Sequence, residues 1–344
     1  MKMATTTFDY DYNDINETYT TATLCSRDSD NKLGAQLSIL YYFMFLFSVF
    51  GNGLVLVIIH RFEKLTTVTN IFLLNLVMSS LIFMSSLPFM GVYMQISNWI
   101  FGTVMCKIVG SVYYLGFYSS VLFLTLLSFD RHLAVVYSLG APRVRNTRYA
   151  VISCAVVWLV SGLACIKPMI LHTTFFNYLE NKTHCQEYPR ELDFINVQQL
   201  RKSGFYIELF VFLIFPLVVI ICCYVRIAVT VVSSKIITKF KTVRLIFIIV
   251  LLFFICWTPF NIVLLIHNES STCEDAQKKG YALQITRILA YIYFCISPIF
   301  YTFVGKKFQN YFRQLLVKHF PGLRRCISTS QCNNISTKST PNDF

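Results

Sequence analysis

Apolar residues fall along this chain in seven long runs, at about 36–60, 70–95, 105–137, 150–172, 203–231, 243–267 and 281–304, with short polar stretches between them. Each run supplies the roughly 20 consecutive apolar residues that an α-helix needs to cross the hydrocarbon of a bilayer. The pattern predicts an all-α membrane protein, a seven-transmembrane helix bundle with its termini on opposite sides. Residues 1–34 are polar and acidic and hold no apolar stretch of a secretory leader, so the first run is expected to start insertion itself. Past the last run, Lys306 to Leu316 sets Phe308, Phe312, Leu315 and Leu316 on one helical face, with basic residues elsewhere. That predicts an amphipathic helix lying on the inner surface of the membrane lipid. The chain thus divides into an N-terminal segment over 1–34, a membrane domain over 35–304, and a helix with its tail over 305–344. The one long connection is 173–202, read as loop. Pro88, Pro168, Pro216, Pro259 and Pro298 lie inside runs, where a bundle can satisfy the carbonyls that a proline frees and use the kink as a pivot.

Charge fixes the orientation. Only 14% of the 344 residues are charged and 55% are hydrophobic, far from the roughly 25% charge of a soluble domain. Lys and Arg gather in one set of connections, at Arg61 and Lys64, at Arg143, Arg145 and Arg148, at Lys235, Lys239 and Lys241, and in the tail. That set is expected to be cytoplasmic. The N-terminal segment carries Asp9, Asp11, Asp14, Glu17, Asp28 and Asp30 and is expected outside. The formal net charge of +13 is then an inside-positive signature and not a nucleic-acid patch. Cys25, Cys106, Cys185 and Cys273 all fall on the predicted outer side, where two bridges are possible. The glycosylation sequons at Asn16, Asn181 and Asn268 lie on that side as well, whereas the sequon at Asn334 lies in the tail.

Several residues in order along the runs carry a resemblance. Gly51-Asn52, Asp130-Arg131-His132, Trp158, Pro216 with Tyr224, Cys256-Trp257-Thr258-Pro259 and Ser297-Pro298-Ile299-Phe300-Tyr301 resemble the series found in rhodopsin-like G-protein-coupled receptors. Trp99 to Lys107, Asp130 to Val136 and the four outer cysteines narrow the resemblance to chemokine receptors, over about residues 25–320. The resemblance implies bridges Cys106–Cys185 and Cys25–Cys273. It implies an activation switch and G-protein-coupling set of Asp130, Arg131, Tyr224, Trp257, Pro298 and Tyr301. For ligand it implies Tyr10, Tyr12, Tyr41, Tyr113, Glu208, Phe260 and Arg287, with Tyr10 and Tyr12 resembling sulfated tyrosines in an acidic N-terminus. The implied partners are a chemokine, a heterotrimeric G protein of the inhibitory class, and arrestin at the Ser- and Thr-rich tail over 328–340. No enzyme activity, cofactor, metal or nucleic acid is expected, and the implied location is the plasma membrane.

The chemistry of single residues supports this reading and also departs from it. Arg131 is a charge near the inner end of a span, a position that is costly unless the charge is paired. Its expected resting partner is Asp130. Ser80 and Ser297 stand where the family has Asp and Asn, and without a carboxylate at Ser80 a buried sodium site is not expected. Arg287 stands where most CC-type receptors have Glu. Tyr281 to Ala290, together with Thr69 to Phe72 and Tyr118 to Ser120, is similar to the XC, or lymphotactin, receptor. A buried Arg287 needs a partner, either Glu208, the nearest acid by depth, or a ligand carboxylate. The main rival function is a decoy receptor that internalises chemokine without G-protein signalling. A retinal pump is excluded because residues 281–304 contain no Schiff-base lysine. A transporter would show repeat symmetry, and none is visible.

Overall fold

The computed structural model describes residues 30–62, 67–138, 140, 145–178, 180–187, 196–234, 240–267, 273–299 and 306–319. Helix covers each of the seven apolar runs, up to Ile299 in the last. In chain order the elements are α1 (Asp30–Phe62), α2 (Val68–Met84), α3 (Leu87–Ile96), α4 (Gly102–Val136), α5 (Thr147–Ala164), α6 (Ile166–Leu171), β1 (His172–Asn177), β2 (Lys182–Glu187), α7 (Val197–Leu209), a π-helical turn (Phe210–Ile214), α8 (Phe215–Ser234), α9 (Phe240–His267), α10 (Cys273–Ile299) and α11 (Lys306–His319). Five stretches, Gln36–Phe62, Val68–Ile96, Gly102–Val136, Thr147–Leu171 and Gln199–Ser233, are long and apolar enough to cross a bilayer, and Phe247–Val263 within α9 is a shorter one. In lipid the backbone can bond only to itself, which is why long apolar runs become helices. The last span differs because α10 carries Glu274, Asp275, Lys278 and Lys279 near its start and Arg287 further in.

Large apolar side chains face two ways. Phe43, Phe50, Ile152, Val218 and Val232 point outward, as lipid-facing residues should. Phe83, Phe117, Phe253, Trp257 and Phe294 form the fully buried centre. The third span, α4, is the hub, packing against α2, α5, α8 and α9. At Gly116 of α4 a Cβ would fall 2.5 Å from the Phe83 Cβ and 2.6 Å from its Cα, so only glycine allows α2 this close.

Helix geometry changes beside Pro88 and Pro216, whereas α9 runs unbroken through Pro259 and α10 through Pro298. Pro88 has no amide, and α2 ends before it. Ser85 Oγ donates to the Ile82 carbonyl at 2.7 Å and Ser86 Oγ to that of Phe83 at 2.8 Å, so hydroxyls cover carbonyls at the kink. Ahead of Pro216 the ladder slips by one residue, and the Phe215 amide reaches the Phe210 carbonyl.

One expectation needs correction. The long connection is not all loop. β1 and β2 pair antiparallel with Thr174 opposite Cys185, and Cys185 is bridged to Cys106 with the Cα atoms 5.7 Å apart. Trp99 fastens this hairpin, its amide donating to the Thr183 carbonyl at 2.8 Å. The loop also ends early. Asn196 caps α7 by accepting from the Gln199 amide at 3.1 Å, and the polar stretch Gln198 to Lys202 concealed a helical turn that apolar counting reads as loop. The first helix, α1, starts at Asp30. The amphipathic helix is present as α11, and its Tyr311 stacks on Phe62 of α1 at 5.0 Å.

Candidate functional site

At the inner end, Asp130 is fully buried and is contacted from three elements. Arg131 Nη2 lies 2.6 Å from its Oδ2, while Arg145, just ahead of α5, grips both oxygens at 2.6 and 2.9 Å. Thr69 of α2 donates to Asp130 Oδ2 at 3.0 Å and accepts from Arg131 Nη2. One carboxylate thus holds two guanidinium groups and a hydroxyl, the dense satisfaction that a buried charge requires. Arg145 is positioned by Asn146, whose side chain caps α5 by accepting from the Tyr149 amide at 2.8 Å. Tyr224 of α8 lies beside Ser128, and its ring meets Phe247 of α9 edge-on at 5.0 Å.

Between this end and the outer mouth, Trp257 of α9 is fully buried. It stacks on Phe117 at 4.0 Å and meets Phe83 at 5.8 Å and Phe260 at 5.9 Å, while its indole N–H has no hydrogen-bond partner among the described residues. Two further residues of the sequence reading are bonded, one between α5 and α2 and one within α1. Trp158 Nε1 donates to Asn75 Oδ1 at 2.9 Å, and Asn52 donates to the Ser48 carbonyl at 3.0 Å. Ser80 Oγ donates to its own helix at Leu76, the buried Ser120 hydroxyl has no partner among the described residues, and Ser297 is buried.

Toward the outer face, tyrosines crowd around Arg287. Tyr41 accepts from Gln284 Nε2 at 2.6 Å and meets Tyr291 edge-on at 5.5 Å. Tyr113 lies 4.9 Å from Phe83, and its buried hydroxyl has no hydrogen bond among the described residues. The Arg287 guanidinium sits 5.9 Å from the Phe260 ring centre and in the field of Tyr113, Tyr291 and Tyr41. The structure does not bring Glu208 to Arg287. Glu208 is buried beside Tyr118, in the field of Lys167 and Glu187, and those two are themselves paired at 3.3 Å.

A family model described as the 7 transmembrane receptor (rhodopsin family) matches residues 51–301. Human C-C chemokine receptor type 1 is 35% identical over 348 residues, covering 94% of each chain. Guinea pig (Cavia porcellus) C-C chemokine receptor type 3 is 34% identical over 319 residues, covering 91% of this chain and 85% of its own. G-protein coupled receptor E1 of Equine herpesvirus 2 is 34% identical over 308 residues, covering 87% and 79%. The chain belongs to the chemokine receptor family. It is a multi-pass plasma-membrane receptor and not an enzyme.

In this receptor Asp130, Arg131, Tyr41, Tyr113, Glu208, Trp257, Phe260, Tyr224 and Arg287 are all placed, and Asn181 is exposed at the hairpin turn with φ of 51°. Tyr10, Tyr12, Asn16, Cys25, Asn268 and Tyr301 lie outside the described residues, and Pro298 and Cys273 are described only as backbone in α10. The sequence reading missed Thr69, Arg145, Phe83, Phe117, Gln284 and Tyr291. Phe117 could have been found, since it stands four residues from Tyr113 on the same helical face. Nothing in the spacing pointed to Arg145, which served only as one basic residue of an inner connection.

Proposed function

We propose that the receptor faces its N-terminus outward, binds an extracellular chemokine of the lymphotactin type in the tyrosine-lined mouth, and signals through an inhibitory-class G protein. The observation that carries this reading is the buried pairing of Asp130 with Arg131. A charge held in a saturated buried network is a two-state element, and a partner that prefers Arg131 released shifts the balance. Relatives whose printed names are C-C chemokine receptors support chemokine as the ligand class. Arg287 supports the narrower choice, because a cation among tyrosines accepts an acidic group where a carboxylate would accept an amine. Acidic Tyr10 and Tyr12 would capture the basic body of the chemokine, phosphorylation of the tail would recruit arrestin, and α11 would rest on membrane lipid. A chemokine panel with lymphotactin included tests the reading, scoring ligand-evoked fall in cyclic AMP beside ligand uptake. Binding with a fall in cyclic AMP is expected. Uptake without any fall would favour the decoy reading, and absence of chemokine binding would remove both.

A further inference from the structure

Asp130 is shared by two cations, and the two do different things. Arg131 reaches it with a single nitrogen and is also held by Thr69, whereas Arg145 grips both carboxylate oxygens side by side. The site in this closed arrangement carries two positive charges against one negative, so the guanidinium groups repel each other. When Arg131 departs, a neutral and bidentate Asp130–Arg145 pair remains. Were Arg145 absent, the departure of Arg131 would strand a carboxylate that is wholly buried, and an unpaired buried charge is the costliest outcome available to a pair.

We propose that Arg145 is a positioning residue for activation, a standing counter-cation that keeps Asp130 neutralised while Arg131 swings away, so that it favours the open state and does not lock the closed one. Four groups face the carboxylate: Arg131 from α4, Thr69 from α2, Arg145 from the segment ahead of α5, and Tyr149 from α5. Of these only Arg145 can replace the charge that Arg131 takes with it. Arg145 leads directly into the Asn146 cap of α5 whereas Arg131 belongs to α4, so the two cations are carried by different parts of the chain and one can stay while the other moves. The inference rests on the reading that the receptor couples to a G protein, and its sign is opposite to that of a simple latch.

The test uses purified full-length receptor in lipid nanodiscs and a synthetic peptide of the C-terminus of an inhibitory-class G-protein α-subunit as probe. Arg145→Gln is expected to weaken peptide binding roughly tenfold, the size of a typical coupling between groups in one charged network, with Arg145→Lys falling in between. In an Asp130→Asn background, where no carboxylate is left to neutralise, Arg145→Gln is expected to change nothing. That arm separates action through Asp130 from direct contact of Arg145 with the peptide. Unchanged or tighter binding by Arg145→Gln would overturn the proposal, as would an equal loss in the Asp130→Asn background. Failure of the unaltered receptor to bind the peptide at all would instead strike the coupling reading, and the proposal would fall with it.

Discussion

The two ends of the bundle are built on opposite terms. At the inner end every oxygen of Asp130 is engaged, and the guanidinium groups around it are tied to the carboxylate or to Thr69. The charges of that end are already paired, although the buried Arg131 Nε and Tyr224 hydroxyl have no hydrogen-bond partner among the described residues. At the outer end, Arg287 makes no ion pair among the described residues, the Tyr113 hydroxyl is buried and unbonded, and below them the Trp257 indole N–H is unbonded too. Buried polar groups without partners cost free energy that a ligand can recover. The difference teaches which end waits for a partner. The outer mouth holds a cation with no anionic partner among the described residues and gains from being filled, whereas the charges of the inner end are already paired and must be separated.

Breaking the frame of the outer end should have the largest effect. Replacing both Cys106 and Cys185 by serine frees the hairpin that roofs the mouth and is expected to cost about 2–5 kcal/mol. Thermal unfolding of purified receptor and cell-surface level would both report it, and an unshifted melting point would show that Trp99 alone holds the hairpin. Next, Arg287→Gln removes the one charge among the mouth tyrosines. Loss of a charged hydrogen bond of about 1.5–3 kcal/mol predicts roughly 10- to 100-fold weaker chemokine binding, with no loss of thermal stability. Equal binding would place the ligand elsewhere in the mouth.

Gly116→Ala tests the seam between the two ends. The added methyl has no room beside the Phe83 backbone, and overpacking of this kind is expected to cost about 1–3 kcal/mol in thermal stability. The smallest effect belongs to Thr69→Val, which keeps the volume and removes the hydroxyl that holds Arg131. A net hydrogen-bond contribution of about 0.5–1.5 kcal/mol predicts basal nucleotide exchange raised roughly two- to tenfold. A fall in basal exchange would mean that Thr69 serves the open state, and the contrast between the ends would lose its inner half.

Legibility in the sequence followed the same division. Membrane spans announce themselves because lipid demands long apolar runs, so the helices of Gln36–Phe62 or Gly102–Val136 could be drawn from composition alone. The hairpin could not, since Phe175 and Phe176 sit in a short polar context that resembles loop as much as strand. Asp130 and Arg131 were legible because they are neighbours in sequence. Arg145 stands 15 residues away and Thr69 61 residues away from Asp130, and no periodicity links them. That Glu208, one of the two partners left open for Arg287, forms no ion pair with it among the described residues has a related reason. Depth along a span can be counted, but the direction in which a side chain leaves its helix depends on local winding that sequence does not display.

That winding has a consequence at the π-helical turn, Phe210–Ile214. One residue more than a regular helix requires is accommodated there, so the outer part of the fifth span is out of phase with the inner part by one position, about 100° of rotation. The segment thus has two reading frames joined at Phe212, which is fixed against Tyr118 at 4.0 Å. Glu208 faces Tyr118 and Lys167 only in the frame that the extra residue creates. A single deletion in the turn would leave every apolar residue of α8 in register with its neighbours and yet turn the outer acid toward a different side of the mouth.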